Sequence, residues 1–447
     1  MPTGIGSATV AFRRRALATA GRLARHVPHD GAQMFAFVAS PSVRADPWAI
    51  YQRLHRRGPV RPTLNQAWLV ASHAAAMQVL RSPTTSVKEA LAPAQARLPR
   101  DDPFTHLMDR TLLFTDPPDH TRLRRLVSRA FTPRTIEGLR APVSAMVAEM
   151  LDRMRPAGSA DLLEELAFPL AVNVICELLG VPASERGRFL QWARAMGPRL
   201  DLTHFRDETV VERGNRAAAE LVVFLDELVA DPTRRTEDGL LSRLLALDAS
   251  DASDDVGADD EGDKGDERRL DQGEIVRLCL FVLLAGFEAT ANLIGNGLLA
   301  LLQDPDERER LVSGEVPTAV AVDELLRYAG PSQFAQRVLL ADTEVGGHEL
   351  PARTLVALLL GAANRDPTVF PEPDRLDLGR SPNPHLGFST GIHHCLGASL
   401  ARLEAGIAIT AVLHDLPDLR LGARPRWRDT FVIRGLRALP VRWRTAA

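Results

Sequence analysis

The residues best suited to chemistry lie in one segment near the C-terminus, FSTGIHHCLGASLARLEAG, which begins at Phe388. Gly391 allows a tight turn before His393 and Cys395, and a helix-forming run follows directly. Cys395 is therefore expected at a helix N-terminus, where free N–H groups and the helix dipole stabilise a thiolate relative to a thiol. A thiolate held in this way against the apolar Phe388 side chain is suited to be the fifth ligand of a heme iron. Taken alone, a cysteine is more often a small buried hydrophobic residue.

A glutamate in the middle of the longest helical pattern is the second chemical candidate. The segment AGFEATANLIGNG begins at Ala285, and Ala285, Glu288 and Ala289 share one helix face at i, i+3 and i+4. A glutamate among apolar neighbours is costly to bury unless it is hydrated or carries protons, so Glu288 is a candidate for proton transfer. Small Ala285 and Gly286 would let a flat cofactor and a diatomic ligand approach the backbone. The alternative is that Glu288 faces solvent or belongs to a polar cluster.

Two further helical patterns place charged side chains on one face. Glu324 and Arg327 stand at i and i+3, and such a pair is usually a solvated salt bridge of little energetic value. His120 and Arg124 stand at i and i+4 in a helix that the DPPD segment (116–119) is expected to start. An arginine beside a histidine is well suited to carboxylates, although the helix alone is equally consistent with a generic basic surface.

These candidates are positioned by a chain whose pattern is mostly helical, with Pro and Gly between the helices and no internal repeat. The longest helical pattern covers about 272–302, and strand-like segments cluster at 336–340, 343–345, 354–359 and 430–433. The fold class expected is mainly α with a minor β region (α+β). We expect an N-terminal extension at 1–40, a single domain at 41–447, and within it an acidic, irregular loop at 249–268.

Composition argues against several classes of protein. The net charge of -3 gives no reason to expect nucleic acid as a partner. Three cysteines are too few, and odd in number, for a disulfide framework, which favours a reducing, cytoplasmic setting. Cys176 and Cys279 lie inside apolar helical runs and are interpreted as core residues. The apolar run 278–291 contains Glu288 and is interpreted as a buried helix, not as a membrane span.

The pattern F-x-x-G-x-H-x-C-x-G from Phe388 to Gly397, ahead of a helix, resembles the cysteine loop of the cytochrome P-450 superfamily. Separated motifs from DPWAIYQRLHRRG (46–58) to FVIRGLRALPV (431–441) follow the family's order, so the resemblance spans nearly the whole chain. It implies the family's fold, with a long central helix over heme b and a proximal cysteine loop. By resemblance Cys395 is the iron ligand and His393 contacts a heme propionate. Ser389 departs from the family, which usually has Gly there.

The resemblance also gives roles to the paired charges. Glu324 and Arg327 match the family's E-x-x-R motif, and Arg375 in FPEPDRLDL is the expected third member of a buried structural network. The family's propionate contacts are matched by four residues: His120, Arg124, Arg337 and His393.

The segment at Ala285 is similar to the A-G-x-E-T-T motif of bacterial members, in which the acid and the following Thr manage proton delivery during dioxygen activation. Here the acid is Glu288, but Ala289 stands in place of the alcohol and Thr290 comes one position later. Some macrolide-tailoring members share this Ala. The resemblance therefore implies that water, Thr290 or the substrate organises proton transfer.

The function implied by the resemblance is a heme-thiolate monooxygenase of the soluble, macrolide-tailoring bacterial type. Such an enzyme, expected to be a monomer, takes electrons from NAD(P)H through a ferredoxin and its reductase. It uses O2 to hydroxylate or epoxidise a lipophilic polyketide, macrolide, terpenoid or steroid. Substrate contacts are expected around 83–113, 190–205 and 331–336, and a ferredoxin-docking surface at Arg122, Arg125 and Arg129. A peroxygenase that uses hydrogen peroxide is the alternative because the alcohol is missing, and a non-catalytic heme protein is a weaker one.

Overall fold

The computed structural model describes residues 40–63, 67–95, 102–129, 131–201, 203–204, 207–253 and 270–445. The expected N-terminal extension lies outside the described residues except for Ser40. The helix Leu240–Ser253 covers the first five residues of the acidic loop predicted at 249–268. The remainder of that prediction, from 254 onward, also lies outside the described residues.

Helices make up most of the fold, as the sequence pattern predicts. In the first half of the chain they are α1 (Pro41–Ala45), α2 (Trp48–Arg57), α3 (His73–Arg81), α4 (Lys88–Gln95), α5 (Pro103–Met108), α6 (Asp119–Ser128), α7 (Pro133–Gly138), α8 (Arg140–Met154), α9 (Phe168–Leu179), α10 (Arg186–Met196) and α11 (Glu208–Ala230). In the second half they are α12 (Leu240–Ser253), α13 (Gln272–Gln303), α14 (Pro305–Val312), α15 (Thr318–Ala329), α16 (Leu360–Ala363) and α17 (Ala398–Asp415).

The strands form small sheets beside the helices. They are β1 (Val60–Pro62), β2 (Trp68–Val70), β3 (Thr85–Ser86), β4 (Ser159–Asp161), β5 (Phe334–Leu339), β6 (Thr343–Val345), β7 (His348–Leu350), β8 (Leu355–Leu359), β9 (Arg420–Leu421), β10 (Arg426–Trp427), β11 (Leu436–Ala438) and β12 (Pro440–Arg442). The largest sheet has the order β1-β2-β8-β5-β3, and its β2–β8 pair is parallel. Of the predicted strand segments, 430–433 is wrong: it holds only an isolated bridge from Ile433 to Ser332.

The central element is α13, which confirms the predicted long helix. It begins with a capping box in which the Asp271 side chain accepts from the Glu274 backbone N–H and the Glu274 side chain accepts from that of Asp271. It packs against α9, α11, α15 and α17, which surround it with apolar side chains. By length and composition α13 could cross a membrane, but 83% of its apolar window is buried inside the protein, as in a core helix.

A buried ion network lies between α15 and the chain that leads to the cysteine loop. Both side chains of the Glu324–Arg327 pair are fully buried, with N···O distances of 2.7 and 2.8 Å. Arg380 donates to the same carboxylate at 3.2 Å, and the Asp377 backbone N–H donates to it at 3.0 Å. The network therefore ties α15 to residues 377–380 by charge and by backbone hydrogen bonds.

The prediction that the Arg375 side chain joins this network is wrong. Its guanidinium is 59% exposed and lies 3.4 Å from the carboxylate of exposed Glu372. What Arg375 contributes is its carbonyl oxygen, which accepts from Arg327 at 3.0 Å. The third charged member is Arg380, because its side chain turns inward five residues later, in a turn that sequence spacing alone does not specify.

Candidate active site

The cysteine loop has the geometry expected from its sequence. Gly391 has φ 72°, and a Cβ at this position would lie 2.2 Å from the carbonyl oxygen of Leu80, so only glycine fits. The Cys395 backbone N–H donates to the Phe388 carbonyl at 3.0 Å, which closes the loop. Helix α17 begins three residues after Cys395, with Gly397 as its N-cap. The predicted position of the sulfur at a helix N-terminus is therefore confirmed.

The surroundings of the Cys395 sulfur pull its pKa in opposite directions. Burial raises the pKa of the thiol, whereas the backbone N–H of Gly397, which donates to the sulfur, and the charges of Arg124 and Arg402 lower it. Gly397 acts through its backbone, since a Cβ there would meet nothing within 4 Å. A metal cation bound to the sulfur would lower the pKa of the thiol further and hold the sulfur as a thiolate.

Ser389 adopts φ 57°, in the left-handed region that glycine occupies without steric cost. Ser389 in place of the family's usual Gly therefore costs some local conformational free energy, but it leaves the hydrogen bonds of the loop in place. The Ser389 backbone N–H still donates to the Leu386 carbonyl at 2.9 Å.

Gly391→Ala is expected to displace the cysteine loop from α3 and to weaken retention of heme. The new Cβ would combine a left-handed backbone, which costs about 1–2 kcal/mol, with a clash against a backbone carbonyl that cannot move freely. Gly314→Ala is the matched control, because Gly314 has φ 78° and nothing lies within 4 Å of its added Cβ. Heme content and thermal unfolding should separate the two variants, and equal losses in both would contradict the proposed contact with Leu80.

The four residues predicted to bind propionates converge on one edge of a cavity. His120 and Arg124 come from α6, Arg337 from β5, and His393 from the short turn Gly391–His393. The rings of His120 and His393 are 4.3 Å apart between centroids. Burial, together with the charges of Arg337 and His120, lowers the pKa of His393 to about 3, although Asp116 opposes this. Burial also lowers the pKa of Arg337 to about 10.

This edge fits the carboxylates of a heme. The Nε2 atoms of His120 and His393 are buried and have no hydrogen-bond partner among the described residues. Groups that can carry positive charge therefore face one another, and burial together with these charges lowers the pKa of both histidines. An anion with several oxygen atoms would satisfy these donors and relieve the repulsion. Cys395 lines the same cavity and offers the soft ligand that heme iron takes in heme-thiolate proteins.

The carboxylate of Asp116 binds the start of a different helix from the one that its own segment begins. The DPPD segment does precede α6, but the Asp116 carboxylate accepts from the backbone N–H groups of Val87 and Lys88, at 3.0 and 3.3 Å. It therefore caps α4 and not its own helix. Because α4 contributes to the cavity wall, this contact fixes that wall to the segment that carries His120.

Residues of α13 form another wall of the cavity, as predicted. Ala285, Glu288, Ala289 and Thr290 all line it. Gly286 lines it as well, but a Cβ on Gly286 would lie 2.6 Å from Cδ1 of Ile175. Its small size therefore allows close packing of α13 against α9. The expected role of Gly286 in leaving room for a flat cofactor stays a prediction.

The acid and its neighbours differ in their surroundings. Burial raises the pKa of Glu288, and the charge of Arg428 opposes this effect. Ala289 is partly exposed to the cavity and Thr290 is 5% exposed, so the position one residue after the acid presents a methyl group. The side-chain amide of Asn292 donates to the Glu288 carbonyl oxygen at 2.8 Å, which fixes the backbone at the acid.

The cavity has a volume of about 480 Å³, within the usual range for small-molecule sites. The expected substrate segments contribute Val87, Phe104, Leu112, Leu200 and Phe334 to the cavity lining, and their contact with a substrate stays a prediction. Further apolar contacts come from residues near the C-terminus, Val432 and Ile433.

Sequence reasoning missed two acidic residues and one basic residue at this site. Glu404 on α17 is 1% exposed, burial raises its pKa well above the usual value, and its Oε2 has no partner among the described residues. Asp201 accepts from two backbone N–H groups of the C-terminal segment, and Arg428 pairs with Glu288. An acid on the inner face of α17 was a usable signal for Glu404. No spacing rule connects Arg428 to a glutamate 140 residues earlier.

Comparisons with known proteins match this geometry. The family model "Cytochrome P-450" covers residues 68–416. The chain is 38% identical to the cytochrome P-450 monooxygenase PikC of Streptomyces venezuelae over 421 residues, which cover 90% of this chain and 92% of PikC. It is 37% identical to the 6-deoxyerythronolide B hydroxylase of Saccharopolyspora erythraea, over 90% of this chain and 97% of that protein.

A solved structure extends the likeness to three dimensions. Cytochrome P-450 BioI, determined in complex with acyl carrier protein ligated to hexadec-9Z-enoic acid, matches with a TM-score of 0.79 and 33% identity. The match covers 90% of this chain and 100% of that one.

Proposed function

This chain belongs to the cytochrome P-450 family and is a heme-thiolate monooxygenase. We propose that it hydroxylates or epoxidises a neutral, lipophilic small molecule of the polyketide type. When bound, a heme with a thiolate ligand supplies the reductive activation of dioxygen and the transfer of one oxygen atom to a C–H or C=C bond. The protein supplies the ligand, the shape of the cavity and the protons. Overall, two electrons and two protons accompany each O2, one oxygen atom enters the product, and the other leaves as water.

The charges around the cavity support a neutral substrate. The arginines that line it among the described residues are Arg124, Arg199 and Arg337. We assign Arg124 and Arg337 to the propionates, and Arg199 is paired with Asp102 in an ion pair whose side chains are 5% and 1% exposed. No arginine in this part of the chain remains for the carboxylate of a substrate. Acidic residues line the cavity as well, and any of them that is ionised would repel such a group: Asp109, Asp201, Glu288 and Glu404.

A titration of the ferric, heme-loaded protein tests this proposal. We expect 6-deoxyerythronolide B to shift the Soret band and to bind at least about tenfold more tightly than hexadec-9Z-enoic acid, a difference of about 1.4 kcal/mol. The methyl ester of that acid is the matched control, because it keeps the chain and removes the charge, and it should bind better than the free acid. Tighter binding of the free acid than of its ester would show that the cavity holds a usable cation.

We assign proton delivery to the face of α13. Glu288 is buried, lines the cavity and has a pKa raised by burial, which suits a group that takes up and releases protons near neutral pH. Ala289 offers no alcohol, so the last proton donor is water, Thr290 or a substrate hydroxyl. The orphaned buried carboxyl of Glu404 comes from α17 and is not needed for this assignment.

Electrons enter from a separate protein, and we propose a ferredoxin served by an NAD(P)H-dependent reductase, in the cytoplasm. The supporting feature is the basic outer face of α6, where Arg125 and, directly after the helix, Arg129 are exposed. Arg122 was predicted to belong to this surface, but it pairs with Glu274 of α13 and is only partly exposed. We therefore propose a narrower docking surface, formed by Arg125 and Arg129.

A further inference from the structure

Glu288 shares an ion pair with Arg428, a residue of the segment that follows β10. The carboxylate side chain is 7% exposed and the guanidinium 20%, so the pair runs from the cavity wall toward solvent. The Arg428 guanidinium also lies 5.5 Å from the centroid of the Phe168 ring. Its backbone N–H donates to the Gly435 carbonyl at 2.9 Å. Arg428 is therefore fixed at both its backbone and its side chain.

The segment that carries Arg428 is held by a second acid. Asp201, which is 4% exposed, accepts from the backbone N–H groups of Phe431 and Val432, both at 2.7 Å. Its other oxygen accepts from the Thr203 hydroxyl at 2.7 Å, and this hydroxyl lies 3.0 Å from the Asp429 carbonyl. Asp201 thus clamps the backbone of residues 429–432 from the side of the segment that follows α10.

The same segment after α10 also contacts the acid directly. Gly197, at the start of the short turn Gly197–Leu200, approaches Glu288 so closely that a Cβ there would lie 2.8 Å from Oε2. Leu200, Asp201, Val432 and Ile433 line the cavity. Residues that would meet a substrate are therefore continuous with the two segments that fix the carboxylate of Glu288.

We propose that Arg428 is the positioning residue for the Glu288 carboxylate, and that Asp201 sets its place by clamping residues 431–432 against the wall of the substrate cavity. This inference builds on the role proposed above for Glu288. Its consequence is that the acid keeps its orientation and its ion pair only while the segment after α10 and the C-terminal segment are packed together over the cavity. Contacts that a substrate makes with Leu200 or Val432 would then act on the same clamp that orients the acid.

Charges around Glu288 give the direction of the expected effect. Burial raises the pKa of Glu288, and Asp201 raises it further, whereas Arg428 and His204 lower it. Removal of Arg428 deletes the largest opposing charge, so the carboxyl of Glu288 should stay protonated to a higher pH. A variant that keeps a positive charge at 428 should preserve most of the original behaviour.

Infrared difference spectra of the heme-loaded protein, recorded as a function of pH, test the proposal directly. The carboxylic acid C=O band of Glu288 is identified by its loss in Glu288→Gln. We expect Arg428→Gln to move the titration of this band to higher pH and Arg428→Lys to restore it most of the way. Arg426→Gln is the control, since it removes an exposed arginine from the adjacent strand and should leave the band as in the wild type.

The clamp has its own readout, which does not depend on turnover. Asp201→Asn should speed hydrogen exchange at the peptide that covers residues 429–433 and move the Glu288 band in the same direction as Arg428→Gln. The proposal is overturned by an unchanged band in Arg428→Gln, by a band that Glu288→Gln does not remove at any pH, or by faster exchange without movement of the band in Asp201→Asn. These outcomes are distinct from failure of the proposed role of Glu288, which is measured by the fate of electrons during turnover.

Discussion

Glu324→Ala is expected to yield no folded, heme-loaded protein. The substitution leaves the guanidinium of Arg327 fully buried without its carboxylate and also removes the acceptor of Arg380. Breaking a buried ion pair from one side costs about 3–5 kcal/mol, which is a large share of the 5–15 kcal/mol that typically stabilises a protein. The loss falls on the segment that leads into the cysteine loop, because the same carboxylate holds the Asp377 backbone N–H. Soluble yield, heme absorbance per chain and circular dichroism measure the outcome.

Arg375→Ala and Arg380→Ala provide matched controls for this prediction. Arg375 has an exposed side chain, so its removal should change the free energy of unfolding by no more than about 0.5 kcal/mol. Removal of the buried Arg380 side chain should be clearly more harmful. A soluble, fully heme-loaded Glu324→Ala protein would contradict the network. So would a large loss of stability in Arg375→Ala together with little loss in Arg380→Ala.

Glu288→Gln is expected to divert electrons from product to hydrogen peroxide, with a loss of about 10²-fold or more in product formation. Glutamine keeps the shape of the side chain and can still accept from Arg428, but it cannot take up and release a proton. Because Ala289 offers no hydroxyl, the residue directly after the acid cannot replace that function. Product and hydrogen peroxide formed per NADPH, in the presence of a redox partner system, give the result.

Ala289→Thr tests whether proton transfer is limited by the missing hydroxyl at position 289. If water, Thr290 or the substrate already organises the last proton transfer, a new hydroxyl at 289 should bring no increase in turnover. Faster turnover with less peroxide would mean that the native alanine is a deficit. If Glu288→Gln formed as much product per NADPH as the wild type, Glu288 would have no part in proton delivery.

Much of the site could be predicted because its information is local. The turn at Gly391, the helix after Cys395 and the long apolar pattern of α13 each depend on residues close together in the chain, where steric limits and periodicity decide the structure. The four propionate contacts are implied by the family resemblance, and the structure brings His120, Arg124, Arg337 and His393 together at one edge of the cavity.

What could not be predicted depends on contacts between distant segments. Arg428 meets Glu288, and Asp201 meets the 431–432 backbone, through the packing of loops whose path no propensity fixes. Arg375 and Arg380 are equivalent by residue type, and the choice between them is made by the backbone of the turn that joins them. The close approach of Gly286 to Ile175 of α9 likewise depends on how two distant helices pack, which residue size alone does not indicate.

The central claim is that Cys395 is the iron ligand, and the absorption spectrum of the reduced, carbon monoxide-bound protein tests it most directly. Wild type and Cys395→His should be measured side by side. Cys279→Ser is the control, because it removes a cysteine that is 1% exposed and has no assigned role in binding heme. We expect the strongly red-shifted Soret band of thiolate ligation in the wild type and in Cys279→Ser, and its absence in Cys395→His. A band like that of a histidine-ligated globin in all three proteins would show that Cys395 does not bind the iron.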